Sequence, residues 1–231
     1  MASAQPTQPC VPQSDAELGD FLLRACHELR GPLRAILAHS ELLAQGGEKE
    51  QSASLGFVIN GAVQAGLSID GVTEYCLALQ IDRGTFQPVP MDLTLRAALA
   101  KLAAGLREIG GEVRYDTLPK VWGNLDRLIQ LFEYLVDYGI RNRGAEALRI
   151  HVTAECRPND WLFQVRDNGR GLQGRSLERA FRPFERLFDR QRPGPGLATC
   201  RVIVERHGGS MWAESPAGGG TTFFFTLPLE E

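Results

Sequence analysis

The chain has 231 residues, of which 43% are hydrophobic, and a formal net charge of -3. That length and apolar share suit one large domain or two small ones with a packed core. The near-neutral balance excludes a global pull toward nucleic acid or anionic membrane, although arginines can still cluster locally.

Residues 1–14 are rich in Pro, Gln, Ser and Thr and cannot bury enough apolar surface to offset their ordering entropy, so a flexible arm is expected there. The opening MASAQPTQPCVPQSD lacks the charged and apolar halves of a signal peptide, and no apolar run approaches the roughly 20 residues of a membrane span. A soluble, cytoplasmic protein with no membrane partner is expected. Cys10, Cys26, Cys76, Cys156 and Cys200 are odd in number, scattered and never spaced CxxC. Reduced, mostly buried thiols fit that usage better than a disulfide framework or a zinc site.

From Asp15 to about Gln45, Leu22, Ala25, Cys26, Leu29, Leu33, Ile36 and Leu37 recur at three and four residues, predicting a helix that Gly46 and Gly47 end. In a second helix Leu55, Val58, Ala62, Ala65, Ile69, Val72, Cys76 and Leu79 alternate the same steps without a break, a coiled-coil seam. The short GGEK link makes the two helices antiparallel neighbours over residues 15–80, and a lone hairpin leaves much of its apolar stripe wet. A homodimer that closes a four-helix bundle would cover it.

Two prolines and a glycine in IDRGTFQPVP, residues 81–90, predict a linker. Beyond it, over 91–231, helices at about 93–109, 125–142 and 196–207 alternate with the strand-like runs EVRYDTLP, ALRIHVTAEC, WLFQVRDN, SMWAES and TTFFFTLP. The fold class expected is therefore α+β: a helical hairpin followed by an α/β sandwich of one sheet covered by helices.

Within the first helix, RACHELRGPLRAI (residues 24–36) sets His27 beside Glu28. At 100° per residue from Leu22, the apolar positions gather near 350° and His27 lies near 140°, in an outer sector shared with Arg24, Gly31 and Arg34. A lone surface histidine is usually inert. Neutral imidazole is nonetheless a good nucleophile near its ordinary pKa of about 6.5, and an adjacent carboxylate can orient it or take its proton. Pro32 removes one helix N–H and predicts a local bend.

HELRGPL followed by RAI resembles the phosphoacceptor motif of sensor histidine kinases, carried on the first helix of their dimerisation hairpin. The resemblance implies that His27 takes the γ-phosphoryl group of ATP and that Glu28 acts as base. Gly31 stands where the family often has the Thr or Asn used to dephosphorylate the partner regulator, so phosphatase activity is not implied.

RDNGRG, residues 166–171, ends a strand and enters a loop. Its carboxylate can accept from an exocyclic amine, while Gly169 and Gly171 let the backbone approach a flat base; DNG is also an ordinary turn. The stretch resembles the first glycine box of the same kinases, which assigns adenine to Asp167. Gly194 and Gly196 in GPGLATCRVIVERHGG precede a helix whose free N–H groups favour phosphate, although a glycine-rich helix entry is common in itself. FRPFERLF, this second box and the closing SMWAESPAGGGTTFFFTLP resemble the kinase ATP-binding domain of GHKL type in order. The likeness runs from about residue 20 to 229, nearest in flavour to bacterial phytochrome-type sensor kinases.

Arg175, Arg179, Arg182, Arg186, Arg190 and Arg192 crowd the lid region. They could meet triphosphate charge, or lie in a solvated loop; no recognised nucleic-acid module accompanies them, so no nucleic-acid partner is expected. His207 before two glycines reads as a cation at a helix C-terminus, without chemistry.

The pattern departs from the family in QLFEYLVDYGIRNRG. Tyr134 and Tyr138 stand at its two asparagine positions, the second of which holds magnesium, and Arg141 stands at its phosphate-binding lysine; Arg192 and Pro193 thin the second glycine box. Mg²⁺ prefers hard oxygen ligands in octahedral geometry, and a neutral phenol is a poor substitute for a carboxamide. Glu133 and Asp137 lie about 100° round the helix, and an Asp137–Arg141 pair at i, i+4 is the simpler use of the latter.

Three readings stay open. The resemblance implies an autokinase that uses ATP and Mg²⁺ and passes phosphate from His27 to a response-regulator receiver aspartate. A pseudokinase or phosphotransfer protein would keep His27 but lack a working nucleotide site, and a dimeric adaptor would dock a regulator without chemistry. No sensory domain is recognisable, which leaves the input to a separate sensor protein or to a region outside this sequence.

Overall fold

The computed structural model describes residues 15–45, 48–172, 177, 180–182, 196–216 and 218–229. The arm at 1–14, Gly46 and Gly47, Gly194, Arg192, Pro193 and the lid arginines other than Arg182 lie outside them.

Two long helices, α1 (Asp15–Gln45) and α2 (Glu48–Leu79), form an antiparallel hairpin. Phe21 stacks on Tyr75 at a centroid distance of 4.7 Å and His39 on Phe57 at 4.3 Å, which fixes the register from one end to the other. The close contact between the helices is made by small residues. Ser54, Gly61, Ala65, Ser68 and Ala78 are buried with Tyr75, and a Cβ on Gly61 would lie 2.9 Å from Ile36 Cγ1 and 3.0 Å from the Pro32 carbonyl oxygen.

The single hairpin leaves much of its apolar stripe wet, as its sequence pattern predicts. Leu22, Leu33 and Leu37 on α1, and Leu55 and Ile69 on α2, remain about half exposed or more. Small side chains let the helix axes approach closely, so the hairpin closes on them and its large apolar residues are left outside. The expectation of mostly buried thiols is corrected: Cys26 on α1 and Cys156 at the end of a strand are exposed, Cys76 is half-buried and, among the described cysteines, only Cys200 is buried. One helix, Ala53–Leu79, is also long and apolar enough to cross a membrane by length and composition, contrary to the sequence reading, although it carries Asp70 and Glu74.

After a single 3₁₀ turn at Arg83–Thr85, β1 (Gln87–Pro90) pairs antiparallel with β3 (Lys120–Gly123). Neither short strand was expected, because prolines mask the first and the second has only one buried apolar residue, Val121. The main sheet contains β2 (Glu112–Tyr115), β4 (Arg149–Cys156), β5 (Asp160–Asp167), β6 (Met211–Glu214) and β7 (Thr222–Pro228) in the order β2-β4-β5-β7-β6. All its pairs are antiparallel except β2 with β4. Ile150 and Val152 alternate with the exposed Arg149 and His151, so one face of the sheet enters the core and the other meets water.

Helices α3 (Met91–Glu108), α4 (Leu125–Arg141) and α5 (Gly196–Arg206) cover the core face. Leu128, Leu131, Phe132, Leu135 and Val136 of α4 are almost fully buried with Phe163, Phe223 and Phe225 of the sheet. Asn124 caps α4 by accepting the Arg127 N–H at 3.1 Å.

His207 joins the 3₁₀ turn to this layer and is not the cation its sequence context suggested. It is buried, stacks on Phe86 at 4.5 Å, donates from Nδ1 to the Ile203 carbonyl at 2.7 Å and accepts the Asn124 N–H at Nε2 over 3.0 Å. A doubly protonated ring could not accept that bond, and burial lowers the imidazole pKa from its ordinary value, with Arg83 nearby acting in the same direction. The unfolded chain therefore binds the extra proton first, and this contribution to stability is full above about 6.5 and is lost as pH falls toward the folded value. Urea denaturation at pH 7.5 and 5.5 should show the loss; in His207→Gln the pH dependence should be smaller.

Candidate functional site

His27 and Glu28 sit within α1 one turn before Pro32. His27 is exposed, as its helical phase predicts, with the exposed Arg24, Gly31 and Arg34 on the same outer sector. Glu28 is half-buried. A Cβ on Gly31 would meet nothing within 4 Å, so the surface beside the histidine is open. The imidazole is thus accessible to a macromolecular donor or acceptor, and it is an amphipathic helix packed on Phe21 and Ala25 that holds it there.

The second group of candidates gathers where β5 ends against α4. Asp167 is buried and accepts two backbone N–H groups on the same oxygen, Oδ1: Gly169 at 2.7 Å and Thr221 at 3.2 Å. Oδ2 is left to accept from an amine. Burial raises the carboxyl pKa above its usual value, opposed by the two N–H groups. Gly139 lets α4 approach at this point, since a Cβ there would lie 2.8 Å from Ile150 Cδ1 and 3.7 Å from Asp167 Cβ.

The glycines of the loop answer first to the chain itself. A Cβ on Gly169 would lie 2.5 Å from the Asn142 carbonyl oxygen, and Gly171 has φ +76° with Ser215 Oγ 2.6 Å from where its Cβ would be. Ser215 was not singled out from sequence; its hydroxyl donates to the Gly220 carbonyl at 2.6 Å and accepts the Leu172 N–H at 2.8 Å, tying this loop to the closing hairpin. Thr221 was also missed. A threonine after three glycines carries no signal by itself, yet its N–H reaches Asp167 and its hydroxyl lies 3.4 Å from that of Tyr138.

Tyr138, at the expected metal position, is buried with its ring edge-to-face on Phe223 at 4.8 Å. Tyr134 is half-buried, accepts from Gln130 Nε2 at 3.3 Å, and its Cδ1 lies 3.7 Å from where a Cβ of Gly196 would be. Burial raises both phenols above their ordinary pKa, so neither offers a phenolate oxygen. Glu133 is held by Lys101 at 2.5 Å, and Asp137 is paired with Arg141, as the i, i+4 spacing predicts. Among the described residues, no group of three His, Cys, Asp or Glu side chains gathers in a metal-binding cluster. The donor set of α4 therefore does not fit Mg²⁺, whereas the free Oδ2 of Asp167 fits an adenine amine.

Structure thus brings together Asp167, Gly169, Gly171 and Tyr138, with Gly196 beside Tyr134; Arg141 is engaged with Asp137, Gly194 lies outside the described residues, and His27 belongs to the hairpin. Asp167→Asn should lower affinity for an adenine nucleotide about 10- to 100-fold, because a carboxamide aligns less well with an exocyclic amine than a carboxylate. The same change should stabilise the ligand-free fold. A raised carboxyl pKa means that Asp167 favours folding below about 3.9 and that this contribution is lost as pH rises through the folded value. The gain in the variant should therefore widen from pH 4 toward pH 8 in urea titrations, with calorimetry reading the affinity.

Residues 123–231 match the family model described as the histidine kinase-, DNA gyrase B- and HSP90-like ATPase. Cyanobacterial phytochrome A of Nostoc sp. (strain PCC 7120 / SAG 25.82 / UTEX 2576) is 35% identical over 224 residues, covering 94% of this chain and 29% of that protein. Phytochrome-like protein Cph1 of Synechocystis sp. (strain ATCC 27184 / PCC 6803 / Kazusa) is 31% identical over 94% of this chain and 30% of its own length. The chain thus spans about three-tenths of these curated relatives. Among solved structures, histidine kinase ThkA in complex with response regulator protein TrrA superposes with a TM-score of 0.68 at 20% identity, over 92% of this chain and 62% of that one. With an ATPase domain of this type behind a helical hairpin, the chain belongs to the sensor histidine kinases, as a catalytic core related to those of the phytochrome-type kinases.

Proposed function

We propose that the chain is a two-component signalling core in which His27 carries a phosphoryl group to or from a receiver aspartate, and in which that group comes from another phosphorylated protein rather than from Mg-ATP. One observation carries the choice: Tyr134 and Tyr138 are neutral phenols directed at protein partners, and Glu133 and Asp137 are held by Lys101 and Arg141. An imidazole nitrogen of His27 attacks the phosphorus of the donor's acyl phosphate, the donor carboxylate leaves, and the ring proton passes to Glu28 or to water. A homodimer covers the half-exposed leucines of the hairpin, the partner is a response-regulator receiver domain, the input comes from a separate sensor or from a region outside this sequence, and the setting is the cytoplasm.

The autokinase reading keeps one supporting observation, the Asp167 cradle with Oδ2 available to adenine. Incubation with radiolabelled ATP and Mg²⁺, and in parallel with a receiver domain labelled on its aspartate, tests the choice. Label is expected from the receiver alone. Label from Mg-ATP would establish the autokinase instead, and label from neither would leave a dimeric adaptor.

A further inference from the structure

The hairpin and the nucleotide site are joined by a chain of polar contacts. Glu74 on α2 accepts from Arg127 Nη1 at 2.8 Å and from Gln130 Nε2 at 2.5 Å, both residues of α4. Arg127 Nη1 also donates to Gln130 Oε1 at 2.8 Å, which closes a triangle and fixes the orientation of the Gln130 amide. That amide nitrogen then reaches Tyr134, whose ring lies against Gly196 at the start of α5.

The triangle lies beside an apolar contact. Tyr75 and Ala78, one and four residues beyond Glu74 in α2, are almost fully buried, and α2 runs against α5. Since Phe21 stacks on Tyr75, this attachment sits at the level of Phe21, six residues before His27 in α1, or about 9 Å along the helix axis. The ATP-binding domain is therefore held on the second helix of the hairpin while His27 stays open on the first.

We propose that Glu74, Arg127, Gln130 and Tyr134 form a latch that couples occupancy of the nucleotide site to docking of the hairpin. With the network closed, the ATP-binding domain is fastened to α2. A nucleotide whose phosphates approach Gly196 displaces the Tyr134 ring, Gln130 loses its contact with the Tyr134 hydroxyl, and the Gln130–Glu74 arm of the triangle is weakened. This coupling rests on the reading of Asp167 and Gly196 as nucleotide contacts. It gives a tyrosine at a family asparagine position a positive role, as the element that transmits occupancy, in a helix whose metal-binding capacity is gone. A ligand acts here only through its different affinity for the latched and released states.

Hydrogen exchange of the whole chain, with and without ATP, tests the latch. In the ligand-free protein, Glu74→Ala should raise amide exchange across residues 72–79 and 196–204 about threefold or more, and Tyr134→Phe, which removes only the hydroxyl, should raise it by a smaller factor in the same segments. Glu74→Gln should fall between Glu74→Ala and the wild type. If Tyr134→Phe leaves exchange unchanged while Glu74→Ala raises it, the wiring from site to hairpin is overturned; if neither variant moves it, the latch itself is. Added ATP should slow exchange around Asp167 and speed it at 72–79, and Glu74→Ala should bind ATP about five- to tenfold more tightly by removing the cost of unlatching. Protection at Asp167 with no change at 72–79 also overturns the coupling. Protection at neither segment counts against the nucleotide reading, and the ligand-free comparison still decides whether the latch exists.

Discussion

His27→Gln is expected to abolish phosphoryl uptake from every donor while leaving the fold intact. Glutamine is polar, of similar reach and a good helix former, but it has no nucleophilic nitrogen. His27 is exposed and packs into no core, so the change in stability should stay within about 0.5 kcal/mol. The thermal melt and far-ultraviolet circular dichroism should match the wild type, and label from a phosphorylated receiver domain should fall to background. Glu28→Gln should keep the site but slow the transfer about 100-fold or more, the range of a lost general base. Wild-type stoichiometry of label in His27→Gln would sink the phosphoacceptor assignment, and with it every signalling function proposed for the hairpin.

Tyr138→Asn is expected to have the largest structural effect of any single change in the nucleotide site, costing about 2–4 kcal/mol of stability. The ring is buried edge-to-face on Phe223, and removing most of it leaves a cavity bounded by Phe223 and Thr221 that the rigid sheet cannot collapse to fill. The lost hydroxyl contact to Thr221 is long at 3.4 Å and adds little. Urea denaturation measures the cost. The functional expectation is opposite in sign. With Tyr134→Asn added, two carboxamide oxygens replace two neutral phenols, and nucleotide affinity should become dependent on Mg²⁺, whereas wild-type affinity should not depend on it. Calorimetric titration with ATP in Mg²⁺ and in chelator makes the comparison. Wild-type binding that already requires Mg²⁺ would refute the assignment of the two tyrosines as the cause of a metal-free site.

The two positions illustrate different kinds of legibility. His27 could be placed on the outer face of α1 from helical phase because a period of 3.6 residues is a local property and Phe21 and Ala25 anchor the opposite side. The absence of asparagine at 134 and 138 was equally plain. The engagement of Tyr138 with Thr221, 83 residues away, was not, because it depends on β7 pairing with β5 beside the end of α4. His207 misled for a similar reason: next to two glycines it resembles a charged helix cap, but Phe86 and Asn124 bury it and keep its ring neutral.

From the amino-acid sequence alone followed the division into a helical hairpin and a sheet-bearing domain, the bounds of the long helices to within about two residues, the outward histidine and the presence of tyrosine at 134 and 138, since each rests on periodicity or on the identity of a side chain. Only the tertiary structure decided which face of the hairpin closes, where β1 and β3 meet, and how Glu74, Arg127 and Gln130 join α2 to Tyr134. The contacts between α2 and α4 link residues more than 50 positions apart, and the close approach of whole elements depends on small residues such as Gly61 and Gly139. A local pattern shows which face of a helix is apolar; it does not show which neighbour reaches that face first.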